Sequence, residues 1–242
     1  MPPQRIVSLV PSQTELLFDL GLDEEIVGLT KFCIHPKAKV SLKTIVGGTK
    51  TLHLDRIHAL QPDLIIANRE ENTRDQIEEL QRHYPVHITD VVTLTDALIM
   101  IRTVGELVAK EQEAQTIADE IEHRFTGILP LAPRLRTAYF IWRNPWMGAA
   151  ADTFIHSMLL AAGFQNVFAH RSRYPEITEQ DLQASQPELI LLSSEPYPFR
   201  KKHIAELQQW CPSARVMLVD GELFSWYGSR LLRSAAYFRE LH

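Results

Sequence analysis

The chain has 242 residues, of which 45% are hydrophobic and 23% are charged, and its formal net charge is -5. Its Lys and Arg residues are scattered, which excludes the basic face that nucleic-acid binding requires. No apolar stretch approaches the roughly 20 residues that span a bilayer, so we expect membrane association only through a partner.

The amino terminus leads directly into a strand pattern, so the sequence as given is predicted to have no leader. We expect a periplasmic or extracytoplasmic location if a leader has been removed, and a cytoplasmic one otherwise. Cys33 and Cys211 are isolated in different halves of the chain, so no disulfide is expected.

The first half alternates between strand and helix patterns. Strands are predicted near 5–10, 25–30, 63–67 and 86–91, with helices near 13–21, 53–60, 73–82 and 95–108. Ser12 and Thr14, followed by Glu15, are typical of a helix start whose hydroxyls cap the free amides. This alternation predicts a parallel sheet covered on both faces.

The segment 110–130 is predicted to form a helix that connects two lobes. Its apolar residues follow helical spacing at Ala114, Ile117, Ala118, Ile121, Phe125 and Ile128. About 18 helical residues would extend roughly 27 Å. The alternative is that this helix packs on one lobe only.

The second half repeats the first. Residues 52–66 recur as 177–191, and the matched residues include Ala59, Gln61, Pro62, Leu64 and Ile65, paired with Ala184, Gln186, Pro187, Leu189 and Ile190. Further strands are predicted near 137–142, 165–168, 188–193 and 215–219. We therefore predict an α/β fold with two Rossmann-like parallel-sheet lobes, 1–109 and 131–242, joined by a single long helix with a ligand cleft between them.

The loops after the predicted strands are rich in aromatic residues. They contain or adjoin Trp142, Trp146, Tyr174, Tyr197, Phe199, Phe224, Trp226 and Tyr227. Ligands of open parallel sheets bind beyond the carboxyl ends of the strands, so these rings are candidate stacking surfaces. The alternative is that some of them fill the edges of the lobes.

Motifs for catalysis are weak, and no enzymatic activity is predicted. The sequence contains no zinc-protease helix motif, paired CxxC, nucleophile elbow or P-loop spacing. Cys33 and His35 form a close pair of soft ligands, but a metal would need partners from elsewhere, so no metal site is predicted.

Several elements, in order, resemble the helical-backbone, class III substrate-binding proteins of ABC importers, closest to their cobalamin-binding members. These elements are the opening residues 5–9 with Pro11-Ser12, His35-Pro36, the block 54–65, Asn144-Pro145, Asn166-Val167-Phe168 and 179–191. The resemblance implies a monomeric carrier, with cobalamin or a related corrinoid as transported ligand rather than catalytic cofactor, and an importer permease as partner. Haem and ferric-siderophore binders share the same elements and remain alternatives, as does a cytoplasmic metallocofactor-handling protein or enzyme.

The resemblance also implies a set of ligand-binding positions. In cobalamin binders aromatic side chains hold the corrin, and the positions here are Pro11, Ser12, Phe32, His35, Asn68, Arg69, Trp142, Trp146, Met147, Tyr174, Phe224, Trp226 and Tyr227. Thr49 and Asn68 stand where the family commonly has tryptophan, and Met147 stands where it has phenylalanine. A haem ligand would instead want an axial His35, Tyr174 or Tyr197.

Docking onto a permease in this family resembles a two-point contact, with one acidic side chain from each lobe. Asp55 fits the first point. Its repeat partner is the uncharged Gln180, which is flanked by Glu179 and Asp181, so these two acids are the candidates for the second point. Acidic residues in a first helical turn also favour the helix dipole without any partner.

Overall fold

The computed structural model describes residues 1–128 and 133–241. The chain forms two compact units: unit 1 comprises 1–91, 95–121 and 226–230, and unit 2 comprises 92–94, 122–225 and 231–242. The predicted lobes are continuous in sequence, whereas these units are not. The predicted end of the connecting segment at residue 130 and the predicted lobe start at 131 lie outside the described residues.

The first half contains five strands and five helices in the described residues. They are β1 (Ile6–Ser8), α1 (Pro11–Asp19), β2 (Ile26–Leu29), α2 (Lys37–Val40), β3 (Thr44–Ile45), α3 (Leu54–Leu60), β4 (Leu64–Asn68), α4 (Arg74–Gln81), β5 (Val86–Thr89) and α5 (Leu94–Leu107). The strands form one parallel sheet in the order β3-β2-β1-β4-β5. The central strands β1 and β4 are wholly buried, as expected of a parallel sheet with both faces covered.

The helix α6 (Glu111–Thr126) follows, and the division between the units falls within it, after residue 121. Five of the six predicted apolar positions around this helix are buried: Ala114, Ala118, Ile121, Phe125 and Ile128. The helical periodicity therefore identified the packed face correctly.

The second half contains a second sheet. Its elements are β6 (Arg136–Trp142), β7 (Met147–Gly148), α7 (Phe154–Ala161), β8 (Gln165–Asn166), α8 (Glu179–Ser185), β9 (Leu189–Ser193), α9 (Lys201–Trp210), β10 (Arg215–Val219), α10 (Glu222–Ser225) and α11 (Leu231–Glu240). The order is β10-β9-β6-β7, with β8 also paired to β6. All these pairings are parallel except that of β7 with β6.

The predicted repeat extends to individual hydrogen bonds. Helices α3 and α8 both end at a glutamine in the left-handed region, Gln61 with φ 45° and Gln186 with φ 44°. The Asp63 carboxylate accepts from the Arg5 amide at 2.9 Å, and the Glu188 carboxylate accepts from the Arg136 amide at 2.9 Å. The two-lobe, parallel-sheet fold is therefore confirmed.

Arg5 and Arg136 play matching parts at the ends of these helices. The guanidinium of Arg5 donates to the Leu60 carbonyl, and that of Arg136 donates to the Gln186 carbonyl. Both carbonyls lie near helix C-termini, where the helical ladder provides no donor. The residues shared by the two copies therefore fix the same helix-to-strand connection twice.

One local prediction is wrong. Helix α1 starts with Pro11 at its first turn and Val10 as N-cap, without a side-chain cap, so Ser12 and Thr14 do not cap it. The Thr14 hydroxyl instead bonds Ser8 and the Val10 carbonyl inside the fold.

The second sheet adds one short antiparallel strand to the predicted parallel arrangement, because β7 turns back along β6. Among the described residues, no helix is both long and apolar enough to cross a bilayer.

Candidate ligand-binding site

Asparagines tie together the loops at the carboxyl ends of β1 and β4. The buried Asn68 accepts from the amides of Glu70 and Glu71 through its oxygen and donates to the Thr89 carbonyl through its nitrogen. Asn72 accepts from the Asn68 amide and donates to the carbonyls of Leu9 and Thr49. The side-chain amide of Asn68 thus already makes hydrogen bonds within unit 1. The contact of Asn68 with a ligand stays a prediction.

Phe32 provides the exposed aromatic surface among the predicted ligand residues of unit 1. Its side chain is 50% exposed, its ring lies against Gly48, and the Lys31 ammonium is 5.1 Å from the ring centroid. A Cβ added at Gly48 would come within 3.2 Å of the ring, so glycine leaves the space that the ring occupies. One part of the Phe32 ring therefore packs against Gly48, and another part faces solvent.

Other predicted residues of unit 1 are either buried or already paired. Pro11 and Ser12 are buried in the first turn of α1, and Tyr227 is also buried, which raises the pKa of its phenol. Arg69 is exposed and pairs with Asp90 at 3.0 Å. An exposed ion pair of this kind contributes little to stability, so Arg69 can exchange partners at low cost.

A buried ion pair lies beside the contact between His35 and Trp226. Their rings meet edge to face with centroids 5.5 Å apart, and the Arg230 guanidinium lies 4.8 Å from the Trp226 ring centroid. Arg230 makes two hydrogen bonds to the Glu15 carboxylate, at 2.8 and 2.7 Å. The segment 226–230 is thereby held on helix α1 within unit 1, although both flanking segments belong to unit 2.

The Cys33 thiol is part of a buried hydroxyl network. Its sulfur lies 3.1 Å from Thr14 Oγ1 and 3.3 Å from Thr30 Oγ1, and burial raises its pKa. Within the described residues, no group of three His, Cys, Asp or Glu side chains is placed to hold a metal ion. Cys33 is therefore a packed thiol rather than a reactive one.

One aromatic cluster of unit 2 lies around the carboxyl ends of β6 and β9. Trp146 stacks on Phe199 with centroids 5.5 Å apart and an interplanar angle of 12°. It also meets Phe140 and Trp210 edge to face. Trp146 is only 8% exposed, so most of its surface is used for packing.

Trp142 is the exposed end of this cluster. Its side chain is 40% exposed, and its ring meets Tyr197 edge to face at 5.6 Å. Tyr197 is half-buried, lies 4.8 Å from Phe199, and has its hydroxyl 3.4 Å from His203 Nε2. Trp142 therefore offers a ring surface beside the ring of Tyr197.

The remaining predicted residues of unit 2 differ in exposure. Met147 is half-buried in β7, where it pairs with Trp142 across the sheet. Tyr174 is half-buried, with the Arg173 guanidinium 5.7 Å from its ring centroid. Phe224 has 0% exposure and packs on Tyr139 and Phe238, so it presents no surface to a ligand in this conformation.

The predicted docking acids occupy equivalent helices but different environments. Asp55, in the first turn of α3, is exposed, and no hydrogen bond or ion pair partner is found for it among the described residues. Glu179, at the start of α8, is exposed and accepts from Gln183. Asp181 accepts from the Thr178 amide and pairs with Arg171, and these contacts lower its pKa to about 2.

Three residues that shape these surfaces were not predicted from the sequence. Asn72 and Thr89 hold the loops of unit 1, and His203 contacts the hydroxyl of Tyr197 in unit 2. Tyr197 itself was predicted from the aromatic composition of the loop after β9. No sequence signal would have paired Glu15 with Arg230, because they are far apart in the chain.

Both units thus place rings and hydrogen-bonding groups at the carboxyl ends of parallel strands, which is typical of α/β proteins that bind small molecules. The model of the periplasmic binding protein family matches residues 6–210. The chain belongs to this family of binding proteins.

Relatives cover nearly the whole chain. The vitamin B12-binding protein of Pectobacterium carotovorum is 27% identical over 96% of this chain and 86% of its own length. The structure of the periplasmic vitamin B12 binding protein BtuF of Vibrio cholerae has a TM-score of 0.82 at 21% identity, covering 98% of this chain and 95% of that one. The periplasmic heme binding protein HutB of Vibrio cholerae has a TM-score of 0.84 at 18% identity, covering 98% of each. These two structures share the fold with this chain.

Proposed function

We propose that this chain is the substrate-binding protein of an ABC importer and that it carries cobalamin or a related corrinoid. The observation that carries the proposal is the match, over 96% of the chain, to a protein named for vitamin B12 binding. The opening residues, the block 54–65 and the block 179–191 resemble cobalamin binders in the same order.

The exposed rings support a large, flat ligand. Phe32 in unit 1 and Trp142 in unit 2 are 50% and 40% exposed; Phe32 follows strand β2, and Trp142 is the last residue of β6. Stacking on such a ring contributes about 0.5 to 1.5 kcal/mol beyond the area that it buries. A corrin ring with apolar faces and an amide-bearing edge fits surfaces of this kind.

Haem is the second candidate. The haem-binding neighbour has the same fold and a similar TM-score, so the fold does not separate the two ligands. A haem iron would take an axial ligand from His35, Tyr174 or Tyr197, each of which is half-buried. Cobalamin carries its own lower axial base, so its metal does not depend on such a residue.

Titration of the purified chain separates these ligands. We expect cyanocobalamin to quench the fluorescence of the four tryptophans at micromolar concentration, because Trp142 is exposed beside the proposed ligand surface. Haemin and a ferric hydroxamate siderophore serve as competitors under the same conditions. Absence of quenching by cyanocobalamin, together with tight haemin binding, would reverse the order of the two candidates.

The importer permease is the proposed protein partner, in an extracytoplasmic compartment. Asp55 supplies the contact from unit 1, and Glu179 supplies the one from unit 2. Glu179 is preferred over Asp181 because the carboxylate of Asp181 already bonds Thr178 and Arg171. Both preferred acids are exposed at the first turn of a helix, where a permease arginine would reach them.

A further inference from the structure

The hydroxyl of Tyr197 is oriented by a buried histidine. His203 is 3% exposed, and its Nδ1 accepts a hydrogen bond from the Arg200 backbone amide at 2.9 Å. Because Nδ1 accepts from an amide N–H, it carries no hydrogen and the ring is neutral; burial favours the same state by lowering the pKa of His203. A neutral imidazole that accepts at Nδ1 carries its hydrogen on Nε2.

The Nε2 hydrogen therefore points to Tyr197. His203 Nε2 is 3.4 Å from the Tyr197 hydroxyl oxygen, so the imidazole donates and the phenol oxygen accepts. The hydrogen of the phenol is left to donate elsewhere, and no acceptor for it is found among the described residues. A tyrosine in this position is a hydrogen-bond donor with one end of its ring packed in place.

Packing holds the ring that carries this donor. Tyr197 contacts both Trp142 and Phe199, with ring centroids 5.6 and 4.8 Å away. Its backbone amide also donates to the Ile141 carbonyl, next to Trp142. The donor and the exposed indole are therefore parts of one arrangement at the ends of β6 and β9.

The neighbouring charges favour a neutral acceptor. Arg143 adjoins Trp142 in sequence, but its Nε and Nη2 donate to the Glu206 carboxylate, at 3.0 and 3.1 Å. Arg200 and Lys202 add positive charge near His203, but both are exposed, so solvent and salt screen them. The donor offered beside Trp142 is thus an uncharged phenol.

We propose that Trp142 and Tyr197 form a binding subsite of unit 2 for the edge of a flat ring that bears neutral carbonyl oxygens. The ring packs on the Trp142 indole, and the Tyr197 hydroxyl donates to a carboxamide oxygen at the ring's periphery. This inference rests on the proposed function and specifies which part of a corrinoid unit 2 recognises.

The test measures the dissociation constants of cyanocobalamin and of dicyanocobinamide, which keeps the peripheral amides and lacks the nucleotide phosphate. Tyr197→Phe removes the donor and keeps the ring. We expect it to weaken both ligands equally, by about three- to tenfold, as for one lost hydrogen bond. Trp142→Leu should weaken both by a similar factor through the loss of ring contact.

Tyr84→Phe is the matched control. Tyr84 also pairs with a histidine, His58, at 2.8 Å, but it lies in unit 1 and outside the proposed subsite. It should leave both dissociation constants unchanged. Thermal melting of each variant confirms that it is folded before titration.

The possible failures are distinguishable. If the unaltered chain binds neither corrinoid, the proposed function and the subsite both fall. If it binds both and Tyr197→Phe binds as tightly, the subsite alone is overturned. A loss of affinity confined to cyanocobalamin would assign the acceptor to the nucleotide phosphate and overturn the proposed carboxamide. An effect of Tyr197→Phe on haemin binding alone would also overturn the carboxamide.

Discussion

The two units stabilise corresponding loops with different chemistry. At the strand ends of unit 1, polar groups hold the loops: Asn68 and Asn72 bridge them through hydrogen bonds, and Arg230 is buried against Glu15. At the strand ends of unit 2, the loops are held by stacked aromatic rings, such as those of Trp146 and Phe199. The duplicated scaffold therefore constrains the strands and helices, while each copy has its own means of holding its loops.

The largest expected effect tests the polar side of this comparison. Arg230→Met leaves the Glu15 carboxylate buried without its cation, which should lower the free energy of unfolding by about 3 to 5 kcal/mol. Urea denaturation measures the change. Arg69→Gln, which breaks the exposed pair with Asp90, is the control and should cost less than about 1 kcal/mol.

A second substitution in the same place separates charge from packing. Combining Arg230→Met with Glu15→Leu removes the buried carboxylate and should recover most of the stability, because an apolar pair of similar volume often replaces a buried ion pair without loss. A double variant as unstable as the single one would show that the unit depends on the shape of Arg230 rather than on its charge.

The aromatic side is tested by Trp146→Ala. Trp146 is 8% exposed and contacts Phe140, Phe199 and Trp210, so its truncation should cost about 3 to 4 kcal/mol. Trp142→Leu is the control, because the exposed ring at the end of the same cluster should cost about 1 kcal/mol or less. Equal losses in the two variants would contradict the division into a packed ring and a surface ring.

A smaller effect distinguishes the two copies of the repeated helix. Thr178 caps α8, with its hydroxyl accepting from the Asp181 amide at 3.1 Å, whereas His53 at the start of α3 makes no side-chain cap. Thr178→Ala should cost about 1 kcal/mol, and His53→Ala should cost almost nothing. Chemical denaturation resolves this difference, and a comparable loss at His53 would refute it.

The smallest effect on stability is expected at the docking acids. Asp55→Asn and Glu179→Gln should leave the melting temperature and the ligand affinity unchanged, because both side chains are exposed. Uptake of labelled cyanocobalamin in cells that contain the chain and its importer should nevertheless fall. Asp181→Asn is the contrasting variant: it should lower stability through the lost contacts to Thr178 and Arg171.

The fold was largely predictable because its signals are local. The apolar runs at 64–68 and 189–193 are buried strands, and the helices before them end where the glutamine–proline pairs predicted. Strand β7 was missed because two residues carry no periodicity, and its direction depends on pairing with β6.

The site was less predictable because its contacts join distant residues. Trp142 was named from its loop position and is exposed, whereas Phe224 came from the same kind of loop and is wholly buried. Phe32 was named from the family pattern and is exposed. Composition shows that a ring is present but not which face it presents. Asn68 was chosen for its place in the family pattern, yet its amide is used by the adjacent loop.

The segment 226–230 limits how this chain can be divided into fragments. A fragment that ends at the predicted lobe boundary of residue 109 contains Glu15 but lacks Arg230, so it loses the cation and the two hydrogen bonds that hold the Glu15 carboxylate. Gly228 adds to the constraint, because its φ of 137° and its approach to the Ser12 carbonyl leave no room for a side chain. A fragment that folds as unit 1 alone would therefore have to include residues 226–230.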